Sequence, residues 1–105
     1  MNKIYSYIVY VQDKETGYST IKEVFKPEII ETKKKEKFLV FWTEELTEYT
    51  SNTDDRELRI KARQVANDLY NLDQYASVSI VKQGFMESKF DYSHTALIWK
   101  NGNWL

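Results

Sequence analysis

The stretch Thr53–Lys82, TDDRELRIKARQVANDLYNLDQYASVSIVK, decides the fold. Leu58, Ala62, Val65, Ala66, Leu69 and Leu72 fall at i, i+4, i+7, i+8, i+11 and i+14. That spacing sets all six on one stripe of a 3.6-residue helix. Ser51 or Thr53 is the expected cap, because a short side-chain oxygen accepts a bond from a free backbone N–H. Asp54, Asp55 and Glu57 follow in the first turn, where the helix dipole favours negative charge. Glu57 and Lys61 make an i,i+4 pair. The pattern then changes to alternation, and Tyr75–Lys82 reads as a strand with Ala76, Val78 and Ile80 on one face.

Outward from this unit, Ile4–Val11 reads as a strand with apolar side chains on both faces, which suggests a central strand or one packed on both sides. Asp13–Gly17 is a turn, and Tyr18–Phe25 returns along the first strand. Pairing Val9 with Ile21, Tyr7 with Glu23 and Tyr5 with Phe25 gathers the larger apolar groups on one side. Pro27 ends the second strand. Residues 28–36 read as a polar crossing holding Lys33, Lys34 and Lys35, with Lys37 beyond. Phe38–Trp42 reads as a third strand, apolar on both faces.

Downstream of the helix–strand unit, Gly84 marks a bulge or bend. The segment holding Phe85, Met86, Phe90 and Tyr92 reads either as an exposed loop or as a long buried hairpin. Thr95–Trp99 is a further strand. Asn101-Gly102 supplies the two left-handed positions of a type I′ turn and sets Trp99 opposite Trp104. The expected architecture is α+β in the order β-β-β-α-β-β, a single domain over residues 1–105 with two layers and one amphipathic helix on an antiparallel sheet. In architecture its opening resembles the small arm-type DNA-binding domains of phage integrases. Those domains read DNA with a basic sheet, whereas the first hairpin here sets Asp13, Glu15 and Glu23 against Lys14 and Lys22.

Composition bounds the function. The chain has 105 residues, a net charge of −1 and 30% charged residues, without the basic excess of a dedicated duplex-DNA binder. It has no cysteine, which excludes disulfides and Cys-containing zinc sites and suits a reducing cytoplasm. No signal peptide or membrane-length apolar run is visible. The single histidine, His94, adjoins Ser93, and neighbours on a strand point to opposite faces. No metal-ligand cluster, Gly-rich phosphate loop or cofactor motif is present, so no catalytic residue, metal or cofactor is expected.

Aromatic residues stand out at 15%, with eight tyrosines. The expectation is therefore a non-enzymatic binder that occupies a surface of a macromolecule, most simply a protein. Its size and style suit a phage or mobile-element inhibitor of host defence of the anti-CRISPR type, acting in the host cytoplasm. Two stretches are candidate contacts. The acidic one holds Glu44, Glu45, Glu48, Tyr49, Asp54 and Asp55, matched to a basic groove, or is simply a polar loop and helix start. The aromatic one holds Phe85, Met86, Phe90 and Tyr92. The alternative is a single-stranded nucleic-acid module, with Arg56, Arg59, Arg63 and Tyr70 on one helix face. That face is also what a solvated helix edge looks like. Homo-oligomers through exposed edge strands are a further expectation.

Overall fold

The computed structural model describes residues 4–37, 43–86 and 89–105. The elements run β1 (Tyr5–Asp13), β2 (Ser19–Phe25), β3 (Ile30–Lys37), β4 (Thr43–Thr50), α1 (Asp55–Asn71), β5 (Tyr75–Met86), β6 (Lys89–Lys100) and β7 (Asn103–Trp104). The expected α+β class holds, with one helix packed on an antiparallel sheet. That sheet has five strands in the order β2-β1-β5-β6-β7, and β3 and β4 form a separate two-stranded sheet.

β1 takes the central place that its two apolar faces predict. Tyr7, Val9 and Val11 point to α1 and meet Val78, Ile80 and Trp99 from the neighbouring strands. From above, α1 contributes Leu58, Ala62 and Ala66, all buried, with Val65 and Leu69 packed at the margin. The two alanines let the helix approach the sheet closely, since any larger side chain there would hold the layers apart. Leu72 falls off the end of the stripe and is 55% exposed.

The helix ends differ from expectation in one respect. The cap is Asp54, whose carboxylate accepts the Arg56 N–H at 3.0 Å. Ser51 and Thr53 act one step earlier. Ser51 Oγ accepts the Thr53 N–H, and Thr53 Oγ1 accepts the Glu28 N–H at 2.9 Å. These bonds tie the helix entry to the chain leaving β2. At the other end Asp73 takes a left-handed conformation, φ 55°. Lys14 Nζ secures it by bonding both its carbonyl and its carboxylate, at 2.7 and 3.1 Å.

The first hairpin is the main correction in the sheet. Its register is Tyr10 with Ile21, then Val9 with Glu23 and Tyr7 with Phe25, because a bulge at Lys22 inserts an extra residue in β2. The expected register is therefore one residue out near the turn and two residues out beyond the bulge. A one-residue slip reverses a side chain's face. Ile21 consequently shares a face with Tyr10, away from α1, instead of joining Val9. At the turn, Asp13 accepts N–H bonds from Glu15 and Thr16, at 2.7 and 2.9 Å. These two bonds, Thr16's foremost, hold its carboxyl below the usual carboxylate range. Gly17 closes the turn at φ 75°.

At the far edge, Asn101 and Gly102 adopt φ 50° and 95°, and Trp99 pairs with Trp104 as expected. Asn101 adds a contact that hydropathy does not encode. Its side-chain oxygen accepts the Val78 N–H, and its N–H donates to the Val78 carbonyl, each at 2.9 Å. The turn is thereby pinned to β5. Gly84 sits at an irregularity of the β5–β6 pairing, as the pattern implies, but the extra residues lie on β6, where residues 91–94 stand against Gly84 alone.

The largest departure is β3–β4. Residues 30–37, read as a crossing, form a strand, and so does Thr43–Thr50, the larger part of the acidic stretch. The two pair over eight residues each, from Ile30 with Thr50 to Lys37 with Thr43. The expected strand at Phe38–Trp42 lies outside the described residues. With the ribbon and the long β5–β6 hairpin, the molecule measures 65 × 26 × 19 Å. Its radius of gyration is 18.2 Å, against about 13 Å for a compact chain of this length.

Candidate functional site

Two charged segments that look independent in the sequence are partner strands. The lysine cluster lies on β3 and Glu44, Glu45 and Glu48 lie on β4, with Lys35 in register with Glu45 and Lys33 with Thr47. The acidic stretch is thus not a lone negative patch. The ribbon carries a basic strand beside an acidic one. Asp54 and Asp55, expected within the same patch, are instead the cap and first turn of α1. Neither Lys33–Lys37 nor Thr43–Glu48 shows the apolar alternation of a half-buried strand. Hydropathy is therefore silent about their pairing.

At the root of the ribbon the two nominated patches meet. The Tyr49 ring of β4 stands edge-on to the Phe85 ring of β5, with centroids 5.2 Å apart and planes at 66°. Both residues are half-buried. Aromatic pairs of this geometry add about 0.5–1.5 kcal/mol beyond burial. Phe85 and Met86 of β5 pair with Phe90 and Lys89 of β6, and Tyr92 also lies within β6, so Phe85, Met86, Phe90 and Tyr92 stand on strands rather than in a loop. The side chains of Glu44, Glu45, Met86, Phe90, Tyr92 and His94 lie outside the described residues.

A second cluster sits where α1 begins. The Tyr7 hydroxyl donates to Asp55 Oδ1 at 2.7 Å, and Arg59 Nη2 bonds Asp55 Oδ2 at 3.2 Å. The Arg59 guanidinium also lies over the Tyr7 ring, 5.9 Å from its centroid. Burial, and then the bond to Asp55, push the Tyr7 phenol up to about 12. It therefore stays protonated across the physiological range and offers no general base. The cluster latches the first helical turn onto β1. Beside it a cleft of about 230 Å³ opens between Tyr5, Pro27, Ser51 and Thr53.

The arginine face is divided by this latch. Arg59 is engaged with Asp55 and Tyr7. Arg56, Arg63 and Tyr70 are exposed along one line of α1 at seven-residue steps. Among the described residues no group of three or more His, Asp or Glu converges to hold a metal, and no helix is long and apolar enough to cross a membrane. No protein-family model matches the chain, and no curated protein or solved structure matches it either.

Proposed function

We propose that the protein is a non-enzymatic binder whose contact surface is the β3–β4 ribbon and its aromatic root. The observation that carries this reading is the ribbon itself. Each of its strands has one neighbour, so among the described residues each leaves an outer edge unpaired. A two-stranded ribbon is marginal in water on its own, and open edges are templates for an added strand. A chain that keeps such a ribbon gains from it when a partner completes it. The Lys33-bearing and Glu48-bearing strands give the two edges opposite charge, which orients an incoming segment. Tyr49 and Phe85 supply the apolar anchor where ribbon and sheet meet. A phage-encoded antagonist of host defence is the kind of protein that acts in this way, by covering a surface rather than by turnover.

The test is affinity capture from host lysate with the tagged chain. One macromolecule should be recovered at defined stoichiometry. Thr47→Pro, which breaks the ribbon, and Tyr49→Ala should each reduce recovery at least tenfold while the far-ultraviolet spectrum of the helix is kept. Undiminished recovery by both variants, or no recovery by the parent, overturns the reading. A second reading, single-stranded nucleic-acid binding, rests on the exposed line of Arg56, Arg63 and Tyr70. It requires oligonucleotide binding that weakens steeply with salt. Absence of binding at low salt removes it.

A further inference from the structure

Two short legs join the β3–β4 ribbon to the body. Residues 26–29 lead from β2 into β3, and residues 51–54 lead from β4 into α1; neither leg carries strand or helix. The legs are clamped at their base. Pro27 is buried, with φ fixed by its ring, and Thr53 Oγ1 accepts the Glu28 N–H across the gap at 2.9 Å. Asp54 then caps α1, so the second leg is rooted in the helix. Between this clamp and the ribbon stand Ile29 on one leg and Ser51 and Asn52 on the other. A cleft of about 230 Å³ lies at the legs, between Ile4, Tyr5, Pro27, Ser51 and Thr53, so the junction is not filled by close packing. Above the clamp, among the described residues, the ribbon runs alongside no other element. Its root meets the sheet through two rings, Tyr49 edge-on to Phe85 at 5.2 Å.

We infer that the ribbon is a hinged arm, turning as one paired body on Ile29, Ser51 and Asn52, with the Tyr49–Phe85 ring pair as its latch. Hinges are a few element-terminal residues that absorb a change of φ and ψ while the bodies on either side stay rigid. Two legs held side by side by the Thr53–Glu28 bond restrict that turn to an axis running across them. Rotation about it lifts Tyr49 from Phe85 and leaves the β3–β4 pairs intact. The stability that one edge-on ring pair supplies corresponds to a latched-to-unlatched ratio of about 2 to 12, so both positions are populated in the free chain. Where the ribbon is the contact surface proposed above, the turn sets the angle at which its edges meet a partner. The turn itself belongs to the free chain, so it stands or falls without reference to capture of a partner.

Pulsed double electron–electron resonance on the whole free chain tests this. The chain has no cysteine, so nitroxides sit only where Thr47→Cys on β4 and Gln64→Cys on α1 place them, both at exposed positions. The labelled chain should show two distance populations, the larger being the latched one. Adding Phe85→Leu, which keeps an apolar side chain and loses the ring, should lower the latched-to-unlatched ratio at least about twofold. A second label pair inside the ribbon, Thr32→Cys with Thr47→Cys, should keep one short distance in continuous-wave spectra with and without Phe85→Leu. A single narrow Thr47–Gln64 distance overturns the inference, and so does a distribution that Phe85→Leu leaves unchanged. Loss of the short Thr32–Thr47 distance together with the latch overturns it too, since the ribbon would then melt rather than turn.

Discussion

The α1-covered sheet and the β3–β4 ribbon are both antiparallel β-structure, yet different forces hold them. Under α1, Tyr7, Val9, Val78, Ile80 and Trp99 are almost wholly removed from water, and backbone pairing is reinforced by packing. In the ribbon the side chains from Glu31 to Lys33 and at Thr47 and Glu48 are exposed, and at these positions backbone hydrogen bonds act with little apolar burial, whereas Ile30, Tyr49 and Thr50 at the root are partly buried. Hydrogen bonds exchanged against water contribute about 1 kcal/mol each, whereas a buried large side chain contributes about 1.5–3 kcal/mol. The covered half is therefore expected to be the more stable unit, with the ribbon opening independently of it.

Trp99→Ala gives the largest effect. Trp99 is 1% exposed and joins β6 to the core, so truncation should cost about 3–5 kcal/mol. Urea denaturation should show a lower midpoint for the helix and sheet together. A loss under 1 kcal/mol would mean that the covered half owes little to packing, and the contrast would fail.

Tyr7→Phe has a smaller effect with a distinct pH signature. It should cost about 1 kcal/mol at neutral pH, since Asp55 keeps its bond to Arg59. The folded phenol ionises near 12, above the ordinary value of about 10 in the unfolded chain. Its contribution is therefore complete below about pH 10 and is lost as pH rises through about 12. Ultraviolet titration of the parent minus the variant should place one phenol near 12. A difference centred on 10 would show that Tyr7 is not held by burial and Asp55.

Thr47→Gly should have the smallest effect on global stability. It removes a β-branched residue from the ribbon, worth up to about 1 kcal/mol locally. The melting temperature of the covered half should nonetheless stay within the range that about 0.5 kcal/mol produces. A full loss in the global transition would fuse the two regions into one cooperative unit.

The same division decides what the sequence makes legible. The α1 stripe, the central place of β1, the Asn101-Gly102 turn and the Trp99–Trp104 pair are read directly, because each is a local pattern backed by burial or by a required backbone conformation. Features settled by distant partners are not. Asp54 rather than Thr53 caps α1, and the Thr53 hydroxyl accepts from Glu28 instead. Ile21 changes face because β2 carries an extra residue at Lys22. β3 and β4 have no apolar alternation to announce them, so the lysine cluster and the acidic stretch look like two loops rather than one ribbon. Of the candidate site, Tyr49 and Phe85 are visible as aromatics beside charge, but their contact across 36 residues is a tertiary fact.

Native-state hydrogen exchange on the free chain tests the central contrast most directly. Amides of β1 and β5 at Val9, Val11, Val78 and Ile80 should exchange only through global unfolding. Amides of β3 and β4 from Glu31 to Lys33 and from Thr47 to Tyr49 should exchange at least a hundredfold faster, through local opening insensitive to denaturant. Equal protection in both regions, falling together with denaturant, would contradict the account, because the ribbon would then belong to the same packed unit as the helix.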